Sequence, residues 1–326
     1  MRELLLRTAG ERAAPLRGLR VLLYGFSGRG FPGGDGVAEA VEILPLLGVE
    51  AVYTHESDPE LPGKLEGTYD VAIICNTRIG ALLAAPRRLW KAAPVRSLWF
   101  WDLRPGSVGA PLAGLVDRVF LAYRGRWTAP NGAIYDPAQW ASELRCPVSY
   151  APQGTSLRTP DRQPGHPRIA FVGDVANQTY HTGRAELCRT VGAVVMNRKA
   201  REDRLALEAR LPEIYRSSRY VLSTSPRAPG YTSVRTYSIL ACGGLLALHR
   251  FPDCERLFED GKHAVLFDTP SELIERLKVL DGDDYARDQI ADAGRELHAG
   301  RHTITHRILG ICREALGIDM EFPGWL

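Results

Sequence analysis

The stretch that decides the fold is residues 230–251, GYTSVRTYSILACGGLLALHRF. Its pattern predicts a loop, a helix with one apolar face, a turn at two adjacent glycines and a buried strand over 245–248. We expect Thr232 or Ser233 to cap the helix, because a hydroxyl oxygen there can accept a hydrogen bond from a backbone N–H of the first turn. Free amides, the positive end of the helix dipole and the guanidinium of Arg235 would then outline a phosphate site. An ordinary helix–strand unit with a solvated arginine has the same spacing.

This stretch also resembles a known signature. Residues 233–243, SVRTYSILACG, resemble the SxRxFEALACG motif of bacterial glycosyltransferases with the GT-B fold, most closely those of the spore-maturation-protein-like branch. The resemblance covers most of residues 168–312. Further motifs follow in the same order, at 257–263, 267–270 and 293–307.

The resemblance implies an α/β fold of two facing Rossmann-like domains, each a parallel sheet with helices on both faces. An acceptor-binding domain would span residues 1–160, and a nucleotide-sugar-binding domain would span residues 161–326. The last helix would pack back on the first domain. Residues 150–168 are rich in proline, glycine and polar side chains, which is typical of an interdomain linker.

The resemblance also implies an activity, the transfer of a hexosyl or pentosyl group from a nucleotide-diphosphate sugar to an acceptor hydroxyl. A UDP-sugar is the favoured donor. We expect no metal and no further cofactor, because arginines and backbone amides would stabilise the leaving diphosphate. A surface arginine at a helix start is the alternative for Arg184. The residues implied in donor binding are Gly173, Arg184, Thr232, Ser233, Arg235 and Ser238.

Ser238 is a departure from the signature, which has a glutamate at this position that binds the ribose of the nucleotide. A hydroxyl forms weaker hydrogen bonds than a carboxylate. The departure leaves the donor nucleotide open. It also favours an alternative function, that of a non-catalytic GT-B-like module that binds a nucleotide or a glycan. A nucleotide-sugar epimerase on the same fold is a second alternative.

Composition bounds the class of protein. A chain of 326 residues with 45% hydrophobic and 24% charged residues suits a globular protein of two domains. No apolar run approaches the ~18 residues that span a bilayer, and the first fifteen residues do not resemble a secretory signal. The six cysteines form no CxxC pair, so we expect reduced thiols in a cytoplasmic protein.

The first half alternates strands and helices, which predicts a parallel sheet. Its first strand covers 20–25 and is followed by a glycine-rich loop, and a helix is predicted over 81–91. Asp102 ends the apolar strand predicted over 97–102 and would stand at the carboxyl edge of the sheet, so it is our first candidate for the catalytic base. A carboxylate that only pairs with Arg104 is the alternative. Asp35, in the glycine-rich loop, is the second candidate, and His55 is the third.

A basic stretch with aromatic residues suggests the acceptor. Residues 71–130 contain nine basic and two acidic side chains, interleaved with tryptophans. We therefore expect an anionic acceptor, which could be a phosphate-bearing glycan, a charged lipid-linked sugar or nucleic acid with a modified base. Buried tryptophans with scattered charges are the alternative. The residues expected to bind the acceptor are Gly30, Arg78, Trp101 and Arg104.

The acidic run Asp281-Gly282-Asp283-Asp284 has the spacing of a metal-binding DxD motif. It follows a helix that begins with the capping-box sequence of residues 269–272. We therefore interpret the run as a solvated turn and a helix cap.

Overall fold

The computed structural model describes residues 1–25, 34–75, 82–83, 85–103, 110–158, 167–176, 183–196 and 201–318, with the backbone alone at 34–36, 201–206 and 208. Within these ranges the chain forms two compact units. The N-terminal unit contains residues 2–128, 134–156 and the chain from 300 onward, and the C-terminal unit contains 129–133 and 157–299. The domain boundary at residue 160 stays a prediction.

The N-terminal unit is built on a six-stranded parallel sheet of order β2-β1-β3-β4-β5-β8. A separate antiparallel pair, β6 and β7, follows β5 in the chain. The strands are β1 (Arg20–Tyr24), β2 (Glu50–Thr54), β3 (Val71–Ile74), β4 (Val95–Phe100), β5 (Arg118–Leu121), β6 (Trp127–Thr128), β7 (Ile134–Tyr135) and β8 (Val148–Tyr150).

Helices cover this sheet, and the last helix of the chain belongs to the same unit, as expected. Helix α10 (Ile304–Ala315) packs against α1 (Arg2–Ala13) and α2 (Gly34–Leu46). A short helix α3 (Leu61–Lys64) precedes β3, and α4 (Pro137–Leu144) precedes β8. The Asp136 side chain caps helix α4 by accepting a hydrogen bond from the Ala138 N–H.

The predicted helix over 81–91 is wrong. Positions 81 and 84 lie outside the described residues, and among the others helical backbone is confined to residues 82–83 and a single 3₁₀ turn, Leu89–Lys91. Pro86 explains the break, because proline has no N–H to donate and disfavours helical backbone at the preceding residue.

The C-terminal unit is built on a five-stranded parallel sheet of order β10-β9-β11-β12-β13. Its strands are β9 (Ile169–Val172), β10 (Val194–Met196), β11 (Tyr220–Ser223), β12 (Leu246–His249) and β13 (Val265–Phe267). Its helices are α5 (Arg184–Thr190), α6 (Arg201–Ser217), α7 (Val234–Ala241), α8 (Pro270–Asp281) and α9 (Asp284–Leu297), and a π-helical turn His298–His302 follows.

Alternate residues of these strands fill two apolar layers, one on each face of the sheet. Ala170 and Val172 pack with residues of α6 and α7, whereas Ile169 and Phe171 pack with residues of α5, α8 and α9. This alternation is what a parallel sheet requires when helices cover both of its faces. The predicted parallel α/β architecture is therefore confirmed.

The stretch that decides the fold is placed as predicted, apart from the helix cap. Helix α7 ends at a turn where Gly243 has a φ of 68°, and strand β12 follows. Ser233 occupies the N-cap position, but its side chain makes no capping hydrogen bond. The Thr232 hydroxyl donates instead to the Thr236 hydroxyl. The predicted side-chain cap is thus wrong, because Thr232 bonds to another side chain and the Ser233 hydroxyl has no hydrogen-bond partner among the described residues.

The acidic run is a turn and a cap, as interpreted. Thr269 caps α8 by accepting a hydrogen bond from the Glu272 N–H. Asp283 caps α9, and Asp281 pairs with Arg168. All six cysteines are free, and only Cys146 is not buried. None of the described helices has the length and apolar character needed to cross a bilayer.

Candidate functional site

The candidate site lies where the strand order of the C-terminal sheet changes direction. From β9 the chain continues first to the neighbouring strand β10 and then to β11 on the other side of β9. Loops that follow two such neighbouring strands run in opposite directions and leave a crevice at the carboxyl edge of the sheet, where open α/β folds bind ligands. Gly173 follows β9 directly, and Thr224 and Ser225 follow β11.

Arg184 reaches this edge from the first position of α5. Its side chain is buried, with 6% of the residue exposed. Nε donates to Oγ1 of Thr224 at 2.9 Å, and Nη1 donates to the backbone carbonyl of Asp174 at 2.6 Å. Burial, followed by the nearby positive charge of Arg235, lowers the pKa of Arg184 to about 9. The two arginines are therefore close enough to repel one another.

Arg235 reaches the same place from the second position of α7. Its guanidinium carbon lies 4.6 Å from the centroid of the Phe171 ring, and that of Arg184 lies 5.6 Å from the same centroid. Both cations are within the ~6 Å over which an aromatic ring attracts a positive charge. One buried ring in β9 thus contacts both of the predicted donor-binding arginines.

Gly173 leaves the space that Arg235 occupies. A Cβ atom on residue 173 would lie 2.6 Å from Nη2 of Arg235, and the backbone has a φ of 152°. The nearest ring atom of Phe171 would be 3.4 Å away. A side chain at this position would therefore displace the guanidinium, so Gly173 contributes to the site through its lack of a side chain.

A chain of hydroxyl groups fixes the loop between β11 and α7. The Thr232 hydroxyl donates to that of Thr236 at 2.9 Å, and Thr236 pairs with Ser223 at 3.0 Å. Ser225 pairs with Thr232 at 3.2 Å and accepts a hydrogen bond from the Ser233 N–H at 3.1 Å. The Ser233 amide is consequently engaged within the protein, and the phosphate site has one free amide fewer than the sequence suggests.

Ser238 lies almost one turn beyond Arg235 on the same helix and is half-buried. Within the described ranges its hydroxyl takes part in no hydrogen bond. The hydroxyl is therefore not engaged by another described side chain or backbone group.

In the N-terminal unit, Asp102 is exposed and lies two residues beyond the end of β4. Its position at the carboxyl edge of the sheet agrees with the expectation, and its catalytic role stays a prediction. Burial, and then the charge of Asp102, raise the pKa of the Cys75 thiol well above its ordinary value. The Asp102 carboxylate is thus near the end of β3 as well as that of β4.

Trp101 is only 2% exposed and packs against Trp99 in a tilted arrangement, with ring centroids 4.9 Å apart. Its backbone carbonyl accepts a hydrogen bond from the side-chain amide of Gln153. The ring is part of the core, so a role as an exposed platform for the acceptor has no support here. Gly30, Arg78 and Arg104, the other residues expected to bind the acceptor, lie outside the described residues.

Asp35 and His55 are the other two candidates for the base. Asp35 lies in the first turn of α2, and only its backbone is described. His55 lies directly after β2, where its Nδ1 accepts a hydrogen bond from the Ser57 N–H at 3.2 Å. His55 therefore has a structural partner in a turn, which accounts for its presence.

The basic stretch is less charged than its sequence suggests. Arg88 pairs with Glu66 and Arg118 pairs with Glu314, and both carboxylates come from outside residues 71–130. The guanidinium of Arg96 donates two hydrogen bonds to the Asp117 carboxylate. The tryptophans at 90, 99 and 101 are buried, so the predicted pattern of exposed aromatics is mostly core packing.

Some basic side chains of this stretch remain available to a ligand. The guanidinium of Arg124 lies 4.3 Å from the centroid of Tyr150, beyond the carboxyl ends of β5 and β8. Arg87, Lys91 and Arg126 are exposed, and none of them forms an ion pair within the part of the chain that the structure describes.

Four residues at the candidate site were not identified from the sequence. Phe171, Asp174, Thr224 and Ser225 support the two arginines or the loop that carries one of them. Thr224 and Ser225 follow from the order of strands once it is known, because residues that follow β11 lie beside those that follow β9. Phe171 has only an apolar position in a buried strand, which predicts packing.

Residues 161–313 match the family model described as glycosyl transferase-like. No curated protein sequence matches the chain. Among solved structures, Anabaena HepE in complex with UDP-glucose is similar with a TM-score of 0.55 and 11% identity, over 92% of this chain and 100% of that one. An alpha-glucosyltransferase in complex with UDP and a 13-mer DNA containing a HMU base has a TM-score of 0.61 and 10% identity, over 91% of this chain and 99% of that one. An alpha-glucosyltransferase in complex with UDP has a TM-score of 0.62 and 10% identity, over 92% of this chain and 100% of that one.

Proposed function

We propose, for a chain that has the GT-B fold and a glycosyltransferase-like segment at 161–313, that it transfers a sugar from a nucleotide-diphosphate sugar to an acceptor hydroxyl. The observation that carries the proposal is the convergence of Arg184 and Arg235 at the carboxyl edge of the C-terminal sheet. All three solved structures named above hold UDP or UDP-glucose, so UDP is the nucleotide that we propose.

The two guanidinium groups are suited to a diphosphate. Each arginine repels the other while the site is empty, and a ligand with two phosphate groups relieves that repulsion. In the transfer reaction the diphosphate gains negative charge as the glycosidic bond breaks. Donors that are already in place stabilise that charge in the transition state more than in the ground state. Fixed cations in this position perform the role that a metal ion performs elsewhere, so we propose that donor binding is independent of metal.

Asp102 is proposed as the base. A carboxylate within hydrogen-bond reach of an acceptor hydroxyl can orient it and take its proton during attack on the sugar. Its position beyond the end of β4, exposed and next to Trp101, supports this role. The transferred group is proposed to be a hexosyl or a pentosyl group. UDP-glucose is the first donor to test.

The acceptor is proposed to be anionic. The support is the set of surface cations in the N-terminal unit that form no ion pair with another described residue, with Arg124 over the ring of Tyr150 at the carboxyl edge of the sheet. A phosphate-bearing glycan and nucleic acid with a modified base both offer the required charge, and one neighbour has DNA with a HMU base bound. Salt-dependent binding distinguishes such a partner from a neutral one, because contacts to phosphates weaken as counterions compete.

A thermal-shift screen with nucleoside diphosphates and their sugars tests the proposal first. Ligands that bind the native state raise the melting temperature by mass action, and we expect UDP and UDP-sugars to do so. Slow hydrolysis of one UDP-sugar without acceptor would separate an enzyme from a non-catalytic binding module, which the serine at 238 favours. If no acceptor is present and no hydrolysis occurs, conversion of the UDP-sugar to its epimer would instead indicate an epimerase.

A further inference from the structure

We propose that Phe171 is a positioning residue of the donor site, whose ring holds the guanidinium groups of Arg184 and Arg235 where a diphosphate binds. This inference rests on the proposed function of the same site. It assigns a functional role to a residue that is fully buried in a strand and that its sequence context presents as packing.

The two arginines approach the Phe171 ring from opposite faces of the sheet. Arg184 comes from α5, which packs on the same face of the sheet as Phe171, and Arg235 comes from α7, which packs on the opposite face. The two side chains nevertheless approach one ring, at 5.6 and 4.6 Å from its centroid. Gly173 opens the path by which Arg235 reaches the ring, since any Cβ there would overlap its Nη2 atom. The ring and the glycine thus both border the position of this guanidinium.

The electrostatic surroundings of Arg184 also favour a role for the ring. The partners of Arg184 are a hydroxyl and a backbone carbonyl, and within the described part of the chain it forms no ion pair. Its positive charge is therefore retained for a ligand. A carboxylate in place of the ring would neutralise the arginines and compete with the incoming phosphates. The face of an aromatic ring attracts a cation more weakly, and it remains in place when the anion arrives.

The two neighbouring cations repel one another, which would drive their side chains apart at a partly buried site unless their movement is limited. A rigid ring that is packed on all sides limits the directions in which the two side chains can move apart. The diphosphate then meets two guanidinium groups that are already oriented, which lowers the entropy lost on binding.

The test compares Phe171→Leu with Phe267→Leu. Phe267 lies in β13 and packs in the same apolar layer, so its substitution removes a similar amount of buried aromatic surface without contact to either arginine. Titration calorimetry with UDP should give a Kd about three- to thirty-fold higher for Phe171→Leu than for the wild type. Phe267→Leu should bind UDP as the wild type does, although both variants melt at lower temperature.

A double-mutant cycle separates positioning from packing. If Phe171 acts through Arg235, the change in UDP affinity caused by Phe171→Leu should shrink when Arg235→Ala is already present. Equal UDP affinity for the wild type and Phe171→Leu, or an equal loss in the Phe267→Leu control, would overturn the role of Phe171 while leaving the proposed function intact. A wild-type protein that binds no UDP, UDP-sugar or other nucleoside diphosphate would overturn both.

Discussion

Gly173 and Arg235 share a volume that only glycine leaves open, since a Cβ at residue 173 would lie 2.6 Å from Nη2 of the arginine. This relationship ties the end of strand β9 to the start of helix α7. It explains why a residue without a side chain follows the strand, and it makes the arginine's position depend on its neighbour's backbone.

Gly173→Ala should displace the Arg235 guanidinium and lower the affinity for UDP by about tenfold or more, as expected for a charged hydrogen bond worth about 1.5–3 kcal/mol. Gly183→Ala is the matched control. Gly183 also has a positive φ, of 76°, but no atom of the other described residues lies within 4 Å of its Cβ position. Calorimetry with UDP should detect a loss in the first variant alone, and a similar loss in both would assign the effect to backbone strain.

Arg235→Ala should reduce sugar transfer by one to two orders of magnitude, because it removes a charged phosphate contact worth about 1.5–3 kcal/mol. The measurement is the initial rate of release of UDP from a UDP-sugar. Arg189→Ala serves as the control, since Arg189 is exposed and, among the described residues, pairs with Glu186 alone, one turn away, and such pairs contribute little. Near-normal turnover by Arg235→Ala would remove this residue from the site.

Asp102→Asn should abolish transfer and leave UDP affinity unchanged. An amide keeps the shape of the side chain but cannot accept the proton of an acceptor hydroxyl. Rates of transfer and calorimetric Kd values should be measured on the same preparation. Full activity of this variant would transfer the role to Asp35 or to another group.

Ser238→Glu should strengthen UDP binding, by up to about tenfold, if this position contacts the ribose as in the resembling signature. A carboxylate accepts stronger hydrogen bonds from the ribose hydroxyls than a serine does. Ser238→Gln has the same length without the charge and should give a smaller gain. Weaker binding by both variants would show that the site has no room beside the nucleotide.

Removal of metal should leave donor binding unchanged. Treatment with EDTA, followed by calorimetry with UDP in metal-free buffer, should give the same Kd as before, because the two arginines supply the positive charge. Restoration of binding by added Mg²⁺ or Mn²⁺ after a loss in EDTA would contradict the proposal that the guanidinium groups suffice.

Local patterns predicted the fold well where one element could be recognised alone. Helix α7 and strand β12 were predictable because apolar spacing and two glycines mark their limits, and Thr269 marked the start of α8. Pro86 should have prevented the helix predicted over 81–91. The hairpin of β6 and β7 was missed, although Asn131-Gly132 at its turn is a strong hairpin signal.

The site was only partly predictable, because most of its contacts join residues far apart in sequence. Arg184 and Arg235 could be identified by resemblance, but their shared ring could not. Glu66 and Glu314 neutralise arginines of the basic stretch from outside it, so a count over residues 71–130 overstates the charge. Such pairings depend on tertiary contacts that a sequence window does not contain. The spore-maturation-protein-like branch stays a prediction.

The most direct measurement is a crystal structure of the chain with UDP bound. We expect the diphosphate within hydrogen-bond distance of the guanidinium groups of Arg184 and Arg235, at the carboxyl ends of β9 and β11. UDP bound elsewhere, with both arginines still directed at the Phe171 ring and in contact with no phosphate oxygen, would contradict the account.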